Sequence, residues 1–368
     1  MQNMVKLLHS KAPSALLLLL FAAALLSAPQ RAAEGAREGL LLCFNTVIPA
    51  LFPFFVLSTL VVDLGFAAGL GRALEGIMRP LFRLGGSCAA ALVLGLIGGY
   101  PVGARTALQL YRQGQCSKTE AERLLAFCNN SGPAFILGVA GAGIFGDRRV
   151  GLLLWLTHVL SAVFVGLLFR FRGRGERIGM LHQSKPITAL TLPSAFTAAV
   201  TQALQSILNV CAYAVFFSVV LNLLSVLEEW PILYRLAAGL LELSSGISSL
   251  GGDADLMRSA PMAAFMLGWA GLSVHCQVMS LLADSGLSVR PYLLGKLCHG
   301  VIAAALTWMF IRFLPMGEAV QTAAVGAALP SAVPIAIMLI TIPLICAKKS
   351  VEKRRRIMYT NLTKDKWG

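Results

Sequence analysis

Two apolar runs long enough to enter a membrane are each interrupted by glycines, prolines and amides. The first break reads Gly98-Gly99-Tyr100-Pro101-Val102-Gly103, and the second reads Asn129-Asn130-Ser131-Gly132-Pro133. Inside a bilayer every backbone N–H and C=O needs a partner within the protein, so irregular backbone is tolerated only where it lines a protein-enclosed cavity. The stretch from Gly98 to Asp147 therefore predicts a substrate site within a membrane protein.

The composition agrees, because 57% of the residues are apolar and only 13% are charged. Several segments must then be solvated by lipid, and we predict an all-α, polytopic membrane protein with about eight transmembrane helices. The net charge of +14 would suggest nucleic acid for a soluble chain. Here the basic residues lie mainly in loops and in the tail, where the positive-inside bias and anionic headgroups explain them. The expected partner is the lipid bilayer, and nucleic acid is not expected.

No cofactor, metal or enzymatic activity is expected from the motifs. The eight cysteines are scattered through apolar runs with no Cys-x-x-Cys pair: Cys43, Cys88, Cys116, Cys128, Cys211, Cys276, Cys298 and Cys346. They indicate small buried apolar residues rather than a zinc site or a disulfide framework. The sequence also lacks a P-loop and a His-x-x-x-His pair, and no Ser/His/Asp set can be assembled.

The spans divide the chain into two halves with broken or re-entrant helices. We predict an N-terminal membrane helix (1–35), a first repeat half (36–171), a basic cytoplasmic linker (172–190), a second repeat half (191–347) and a basic cytoplasmic tail (348–368). The apolar run that begins at Ala12 is interpreted as a retained helix, with a cleaved signal peptide as the alternative. Further spans are predicted at 40–62, 89–110, 151–169, 201–227, 261–282, 291–313 and 330–345, whereas the charged segment 66–84 should lie in the interface or enter the membrane partway.

Two interpretations are open for the segment from Ser117 to Gly146. If it enters the membrane and returns, the chain crosses eight times and the halves are inverted with respect to each other. If it crosses once, the count is nine. We favour the first.

The two halves show a weak internal repeat. A shift of 172 positions places Gly271 on Gly99 and Gln277 on Arg105, so that the two polar breaks coincide. Paired broken helices in repeat halves indicate a binding site near the middle of the membrane. Tyr100 and Asn130 are then expected to approach Ser245 and His275.

The candidate substrate-binding residues are the polar side chains of these breaks: Tyr100, Arg105, Asn129, Asn130, Ser131, Glu242, Ser244, Ser245, His275 and Gln277. The helix breaks themselves are assigned to Gly99, Pro101, Gly103, Gly132, Pro133, Gly246 and Gly271. A guanidinium at membrane depth costs roughly 2.5–3.5 kcal/mol unless it is paired or faces water, so Arg105 is a candidate anion ligand. The alternative is an arginine that extends to the headgroups.

Glu242 and His158 each allow two interpretations. Glu242, beside a serine and glycine cluster, fits a re-entrant hairpin tip or a site for a coupling cation or proton, with a surface loop as the alternative. His158, alone in an apolar span, is interpreted as a packing residue rather than a proton relay and is left out of the site.

Three segments carry a family resemblance. Gly99 to Ala104, the Ser-x-x-Glu-Ala-Glu-Arg-Leu-Leu helix at 117–125 and Phe127 to Pro133 resemble the sporulation integral membrane proteins of the YlbJ type. These belong to the nucleoside-recognition (Gate) group, which is distantly similar to the concentrative nucleoside transporters. The resemblance implies a carrier-like core and a role in spore formation, with dipicolinic acid crossing the outer forespore membrane as the substrate.

The chemistry of the breaks is compatible with that substrate. Dipicolinate is a small planar dianion, and Arg105, several amides and a half-helix N-terminus near Pro133 are suitable anion partners. A nucleoside-type transporter and a non-transporting scaffold or signalling subunit are the alternatives. A carrier should show a water-accessible polar pocket between the halves, whereas a scaffold should pack the same amides tightly.

Overall fold

The computed structural model describes residues 12–172, 191–252 and 255–313, and all regular structure in these ranges is helical. This confirms the predicted all-α class. The predicted tail, the span at 330–345 and nearly all of the linker lie outside the described residues, as does the basic start of the chain.

The α-helices are numbered in chain order: α1 (Ala12–Ser27), α2 (Pro29–Leu42), α3 (Ile48–Asp63), α4 (Phe66–Ile77), α5 (Ala89–Gly98), α6 (Val102–Arg112), α7 (Lys118–Cys128), α8 (Arg148–Phe169), α9 (Leu192–Leu223), α10 (Pro231–Leu241), α11 (Leu243–Ser248), α12 (Leu256–Trp269), α13 (Gly271–Leu282) and α14 (Arg290–Phe310). Wider π-helical segments occupy Cys43–Val47, Met78–Phe82 and Ala134–Ile144, and short 3₁₀ turns occupy Gly86–Cys88, Ser225–Glu229 and Ile311–Phe313.

Several of these elements have the length and composition of membrane spans. Four stretches in the described ranges qualify, namely α8, α9, α12 continued by α13, and α14 with its final turn. The number rises to six only if each of two bent helix pairs is counted as one span. The chain is therefore a polytopic membrane protein. The bend after α1 measures 98° and falls at Ala28, so the predicted boundary at residue 35 lies inside α2.

The segment from Ala89 to Leu110 is a re-entrant hairpin, and the prediction of one broken span there is wrong. Helices α5 and α6 fold back on each other, so that a Cβ added to Gly95 would lie 2.9 Å from the Cα of Gly103. The Ser87 hydroxyl donates to the Gln115 carbonyl at 2.7 Å, which brings the two ends of the hairpin together. The chain can reverse because glycines remove the side chains that would separate the two arms.

The segment from Ser117 to Gly146 crosses once, and our preference for an entering and returning segment is also wrong. Helix α7 starts beside the end of α8, where Arg123 Nη1 donates to the Arg170 carbonyl at 3.2 Å. The break lies beside the middle of α8, and the π-helix Ala134–Ile144 continues until Gly141 packs on Gly151. Helix α7 and the π-helix thus form one interrupted helix antiparallel to α8.

Local sequence signals define both ends of this interrupted helix. Ser117 Oγ accepts from the Glu120 N–H at 3.2 Å, and Glu120 Oε2 accepts from the Ser117 N–H at 3.0 Å, which is the capping box that the sequence predicts. In the turn before α8, Asp147 accepts from the N–H of Arg149. Hydrogen bonds from Arg149 hold the pKa of the Asp147 carboxyl below its usual value.

The second half repeats this arrangement. Helices α10 and α11 form a short hairpin, because a Cβ on Gly246 would lie 2.4 Å from the Cα of Gly239. Helices α12 and α13 form one interrupted helix, and α14 is the long helix that packs against it. Each half therefore consists of a hairpin, an interrupted helix and a long helix. We call α5 with α6 and α10 with α11 the first and second hairpin. The first interrupted helix is α7 with the π-helix Ala134–Ile144, and the second is α12 with α13. Helices α8 and α14 are the first and second long helix.

The two halves have opposite orientations. Helix α14 runs parallel to α7, since the Ser288 N–H donates to Glu122 Oε1 at 2.9 Å and Lys296 Nζ donates to the Asn129 carbonyl at 3.0 Å. Helix α14 is antiparallel to α12 and α13, because Gly268 packs on Gly300 while His275 bonds Tyr292. The two interrupted helices consequently run in opposite directions.

The offset of this repeat differs from the one predicted. Helices α8 and α14 begin at Arg148 and Arg290, 142 positions apart, and the hairpin tip at Gly99 corresponds to the tip at Leu241 and Glu242. The shift of 172 is wrong because it superposes Gly99, at a hairpin tip, on Gly271, in an interrupted helix. Glycine occurs at both kinds of break, so its identity alone does not set the register.

Helices α2, α3 and α9 flank this repeat. Gly35 and Gly39 on α2 contact the backbone of Val219 and Val215 on α9 closely enough to exclude any Cβ. Helix α9 has 32 residues, which at about 1.5 Å per residue exceeds a hydrocarbon core of about 30 Å. Its polar N-terminal part, on the linker side, therefore extends beyond the hydrocarbon.

The single crossing of Ser117–Gly146 can be tested by cysteine labelling. In a chain whose native cysteines are replaced by alanine, Lys118→Cys and Arg172→Cys should react with a membrane-impermeant thiol reagent from one side. Arg148→Cys should react only from the other side, because an interrupted helix separates it from Lys118. All three positions have exposed side chains. Labelling of Lys118→Cys and Arg148→Cys from the same side would contradict the crossing.

Candidate functional site

In each half the hairpin tip touches the break of the interrupted helix. A Cβ on Gly99 would lie 3.0 Å from the Gly132 nitrogen, and a Cβ on Gly271 would lie 3.1 Å from the Leu243 nitrogen. Gly99 has a φ of +82° and Gly271 a φ of +79°, and residues other than glycine rarely adopt this backbone conformation. Glycine is therefore required at both contacts by conformation and by space.

A buried lysine joins the first hairpin tip to the first break and to the second half. Lys296 on α14 is 0% exposed, and its Nζ donates to Tyr100 Oη at 2.8 Å and to the Asn129 carbonyl at 3.0 Å. Tyr100 in turn donates its hydroxyl hydrogen to the Leu267 carbonyl on α12 at 2.6 Å. The first hairpin and the first interrupted helix thus bind the Lys296 nitrogen directly, and the second interrupted helix is joined to it through Tyr100.

Two histidines extend this cluster. His299 Nδ1 lies 3.4 Å from Lys296 Nζ, and His299 Nε2 lies 3.0 Å from the His158 carbonyl. The Ser131 N–H, inside the first break, donates to His158 Nε2 at 3.1 Å. His158, which the sequence analysis left out of the site, is therefore in direct contact with a candidate residue.

His275 reaches the same region from the second half. Its Nδ1 lies 2.9 Å from the Tyr292 hydroxyl, one turn before Lys296 on α14. We call Tyr100, Asn129, His158, Lys296 and His299 the lysine cluster, and His275 lies at its edge. Four buried side-chain atoms in this region have no hydrogen-bond partner: Asn129 Nδ2, Asn130 Oδ1, His158 Nδ1 and His275 Nε2. Residues from the two halves thus meet around Lys296, and the direct approach of Tyr100 to His275 stays a prediction.

Arg105 points away from the lysine cluster. It is 8% exposed, donates to the Phe55 carbonyl at 3.3 Å and to Gln202 Oε1 at 3.5 Å, and stacks on the Phe55 ring. Gln202 also lines an open polar groove of about 660 Å³ along α9, together with Ser194, Thr197, Ala198, Thr201 and Gln205. The guanidinium therefore lies at the edge of a polar space on the linker side.

The second hairpin tip carries the predicted acid. Glu242 is 5% exposed, and its Oε2 accepts from the Ser245 N–H at 2.7 Å, capping α11. The interpretation as a hairpin tip is confirmed and the surface loop is excluded. Ser244 and Ser245 are half-buried beside it, and Gln277 donates to Ser273 Oγ at 3.4 Å. Among the contacts of the described residues, none joins these four side chains to the lysine cluster, so the approach of Asn130 to Ser245 stays a prediction.

The sequence analysis missed Lys296 and His299. The signal was present, because Lys296 is the one charged residue between Pro291 and Ile311, and a charge within a span is a functional-site hypothesis by default. In the described ranges, no group of three or more His, Cys, Asp and Glu side chains could hold a metal ion.

Comparison with known proteins places the chain in a family. The sporulation integral membrane protein YlbJ of Bacillus subtilis (strain 168) is 31% identical over 327 residues, which cover 79% of this chain and 80% of that protein. This chain belongs to the YlbJ family of sporulation integral membrane proteins. The Gate family, described as nucleoside recognition, matches residues 44–173. No solved structure matches the chain significantly.

In this YlbJ family member the Gate match covers the first hairpin, the first interrupted helix and α8. Tyr100, Asn129, Ser131 and His158 lie inside the matched range, whereas Lys296 lies outside it. The lysine cluster is therefore assembled from the Gate-like half and from a second, inverted half that the match does not include.

The contact between the second hairpin and its interrupted helix predicts the effect of a methyl group. Gly271→Ala should lower the apparent melting temperature of the purified protein further than Gly286→Ala. Both glycines have positive φ, +79° and +70°, but only at Gly271 would a Cβ meet other atoms, as nothing lies within 4 Å at Gly286. Each additional kcal/mol should lower that temperature by roughly 2–4 °C. Equal melting temperatures would show that the tip is not held against the break.

Proposed function

We propose that this membrane sporulation protein is a secondary carrier that moves a small anionic metabolite such as dipicolinate across the outer forespore membrane. The observation that carries the proposal is the meeting of two inverted halves at the lysine cluster, where a hairpin tip and an interrupted helix of the first half contact an interrupted and a long helix of the second. Inverted repeats with discontinuous helices at their interface are typical of transporters.

The charge of the site favours an anion. Lys296 is contacted by neutral oxygens and a ring nitrogen, and no carboxylate among the described residues contacts it, whereas Arg105 has Asp63 within electrostatic range. A buried charge is costly unless it is paired, and a substrate carboxylate would provide the missing pair. Dipicolinate has two carboxylates on a planar ring, and Tyr100 could stack on it.

The location of Arg105 supports an access route from the linker side. Its partner Gln202 belongs to the polar groove along α9, and the basic linker begins just after the end of α8. Positive groups near a polar entrance attract anions and raise their local concentration. We therefore assign Arg105 to substrate entry and the lysine cluster to the central site.

Two further functions have specific support. The Gate match is described as nucleoside recognition, which favours a nucleoside-type transporter. The full burial of Asn129 and Asn130, both 0% exposed, is the tight packing expected of a non-transporting scaffold or signalling subunit. We prefer the carrier because packing alone does not require a lysine nitrogen at the meeting point of both halves.

Uptake into vesicles distinguishes these functions. Proteoliposomes that contain the purified protein should accumulate labelled dipicolinate well above empty liposomes, and labelled uridine and adenosine should not exceed that background. Nucleoside uptake without dipicolinate uptake would favour the nucleoside-type transporter. No uptake of either compound by protein that is folded and inserted would favour the scaffold.

Substitution of Arg105 tests its role in anion entry. Arg105→Gln should weaken the apparent affinity for dipicolinate by about 1.5–3 kcal/mol, the scale of a hydrogen bond to a charged group. Arg112→Gln, an exposed position on the same helix, removes the same charge outside the site and should leave the affinity unchanged. Equal effects of the two variants would make Arg105 a structural link between α6, α3 and α9.

A further inference from the structure

Lys296 is a buried amino group with no acidic neighbour among the described residues. In that part of the chain the ion pairs include Arg79 with Glu75, Arg149 with Asp147 and Arg258 with Asp255, and no carboxylate contacts Lys296. Transfer of an unpaired ammonium out of water costs several kcal/mol even after the protein relaxes. The ammonium form therefore depends on a counter-charge that these residues do not supply.

The groups that face Lys296 are titratable but none is a carboxylate. The first hairpin contributes Tyr100, α7 contributes Cys128, α8 contributes His158, and α13 contributes His275, while α14 itself contributes Tyr292 and His299. Helix α12 contributes only the Leu267 carbonyl, which binds Tyr100. Within the described ranges, no acid competes with an incoming anion for the ammonium.

The hydrogen bonds show where a proton can reside. His299 Nε2 faces a carbonyl oxygen, which can only accept, so Nε2 bears a hydrogen and Nδ1 faces Lys296 with a lone pair in the neutral ring. The hydroxyl hydrogen of Tyr100 is directed to Leu267, so its oxygen accepts from Lys296. An ammonium at Lys296 thus has three acceptors. The same atoms are satisfied when the proton lies on His299 Nδ1 and the lysine is an amine.

His158 cannot share this proton in the observed arrangement. Its Nε2 accepts from the Ser131 N–H, so a hydrogen on that nitrogen would break the contact with the first break. His158 therefore holds the break closed while neutral, and the exchangeable proton is confined to Lys296 and His299.

We propose that Lys296 and His299 bind one proton together with the substrate anion, so that each transport cycle moves a proton and an anion in the same direction. This inference rests on the proposed carrier function. In the step itself the Lys296 amine takes a proton from water on the entry side, an N–H bond forms, and a substrate carboxylate pairs with the resulting ammonium. On the exit side the carboxylate leaves and the proton returns to water.

The coupling follows from linkage between the two ligands. If a bound carboxylate strengthens proton binding at Lys296 by some factor, protonation of Lys296 must strengthen anion binding by the same factor. The Tyr100 tip covers Lys296, so that movement of the first hairpin is needed to admit the anion. The described contacts therefore define a closed state of the site.

Proton counting on the purified full-length protein tests the proposal. Dipicolinate binding is measured by isothermal titration near pH 7 in two buffers of different ionisation enthalpy. The wild type should take up about one proton per dipicolinate. Lys296→Met should weaken binding about tenfold or more and take up none, whereas Lys118→Met, an exposed lysine, should behave as the wild type. Lys296→Arg keeps the charge but cannot release a proton, so it should bind with no proton uptake.

A second measurement uses proteoliposomes that contain only the wild-type protein. It tests the proton coupling even if the variants do not fold. An inward proton gradient should increase the initial rate of labelled dipicolinate uptake about fivefold or more, and a protonophore should abolish the increase. Dipicolinate uptake that does not depend on the proton gradient, together with dipicolinate binding that takes up no proton, would overturn this inference and leave the carrier function standing. Absence of dipicolinate binding and uptake would overturn both.

Discussion

The hydrogen bonds of the Lys296 nitrogen connect the parts of this protein that belong to different halves. The side chain is fully buried and donates to Tyr100 in the first hairpin and to the Asn129 carbonyl in the first break. The Asn129 carbonyl lies where helix α7 has ended and has no helical partner of its own. A charged donor on the second long helix supplies that partner, so the break and the charge stabilise each other.

Glycine contacts allow these polar groups to come together. The end of α7 lies against both arms of the first hairpin, because a Cβ on Gly95 or Gly103 would lie within about 2 Å of the Cys128 carbonyl. Gly295 gives α14 the same close approach to Ala126 on α7. Small residues at helix contacts bring polar backbone close enough to matter in a membrane, where no hydrophobic force drives helices together. The first hairpin therefore rests on backbone at its glycines, and the Tyr100 side chain at its tip reaches the second half.

The described arrangement is a closed one, and this bears on the choice between carrier and scaffold. Asn129, Asn130, Lys296 and His299 are all fully buried, while the polar groove along α9 lies outside the meeting point of the halves. A carrier passes through such an occluded state, and a scaffold would remain in it. Two observations favour the carrier, because a permanently packed interface would be more stable without them. Lys296 has no acidic partner among the described residues, and buried polar atoms of Asn129, Asn130, His158 and His275 have no hydrogen-bond partner.

The sequence by itself determined the class, most of the breaks and the cap at Ser117. Gly103 and Gly246, which were also assigned to breaks, lie inside α6 and α11. The apolar runs required a membrane, the glycine, proline and amide clusters marked where helices end, and Ser117 with Glu120 specified the start of α7, because each of these signals acts through backbone geometry within a few residues. Whether a break turns the chain back was decided only by tertiary structure. At Gly99 the two arms pack on each other through Gly95 and Gly103, whereas after Gly132 the chain continues along α8 through Gly141 and Gly151. The inverted register and the position of Lys296 against Tyr100 and Asn129 depend on the same long-range packing, which joins residues more than 160 positions apart and leaves no periodic trace in the sequence.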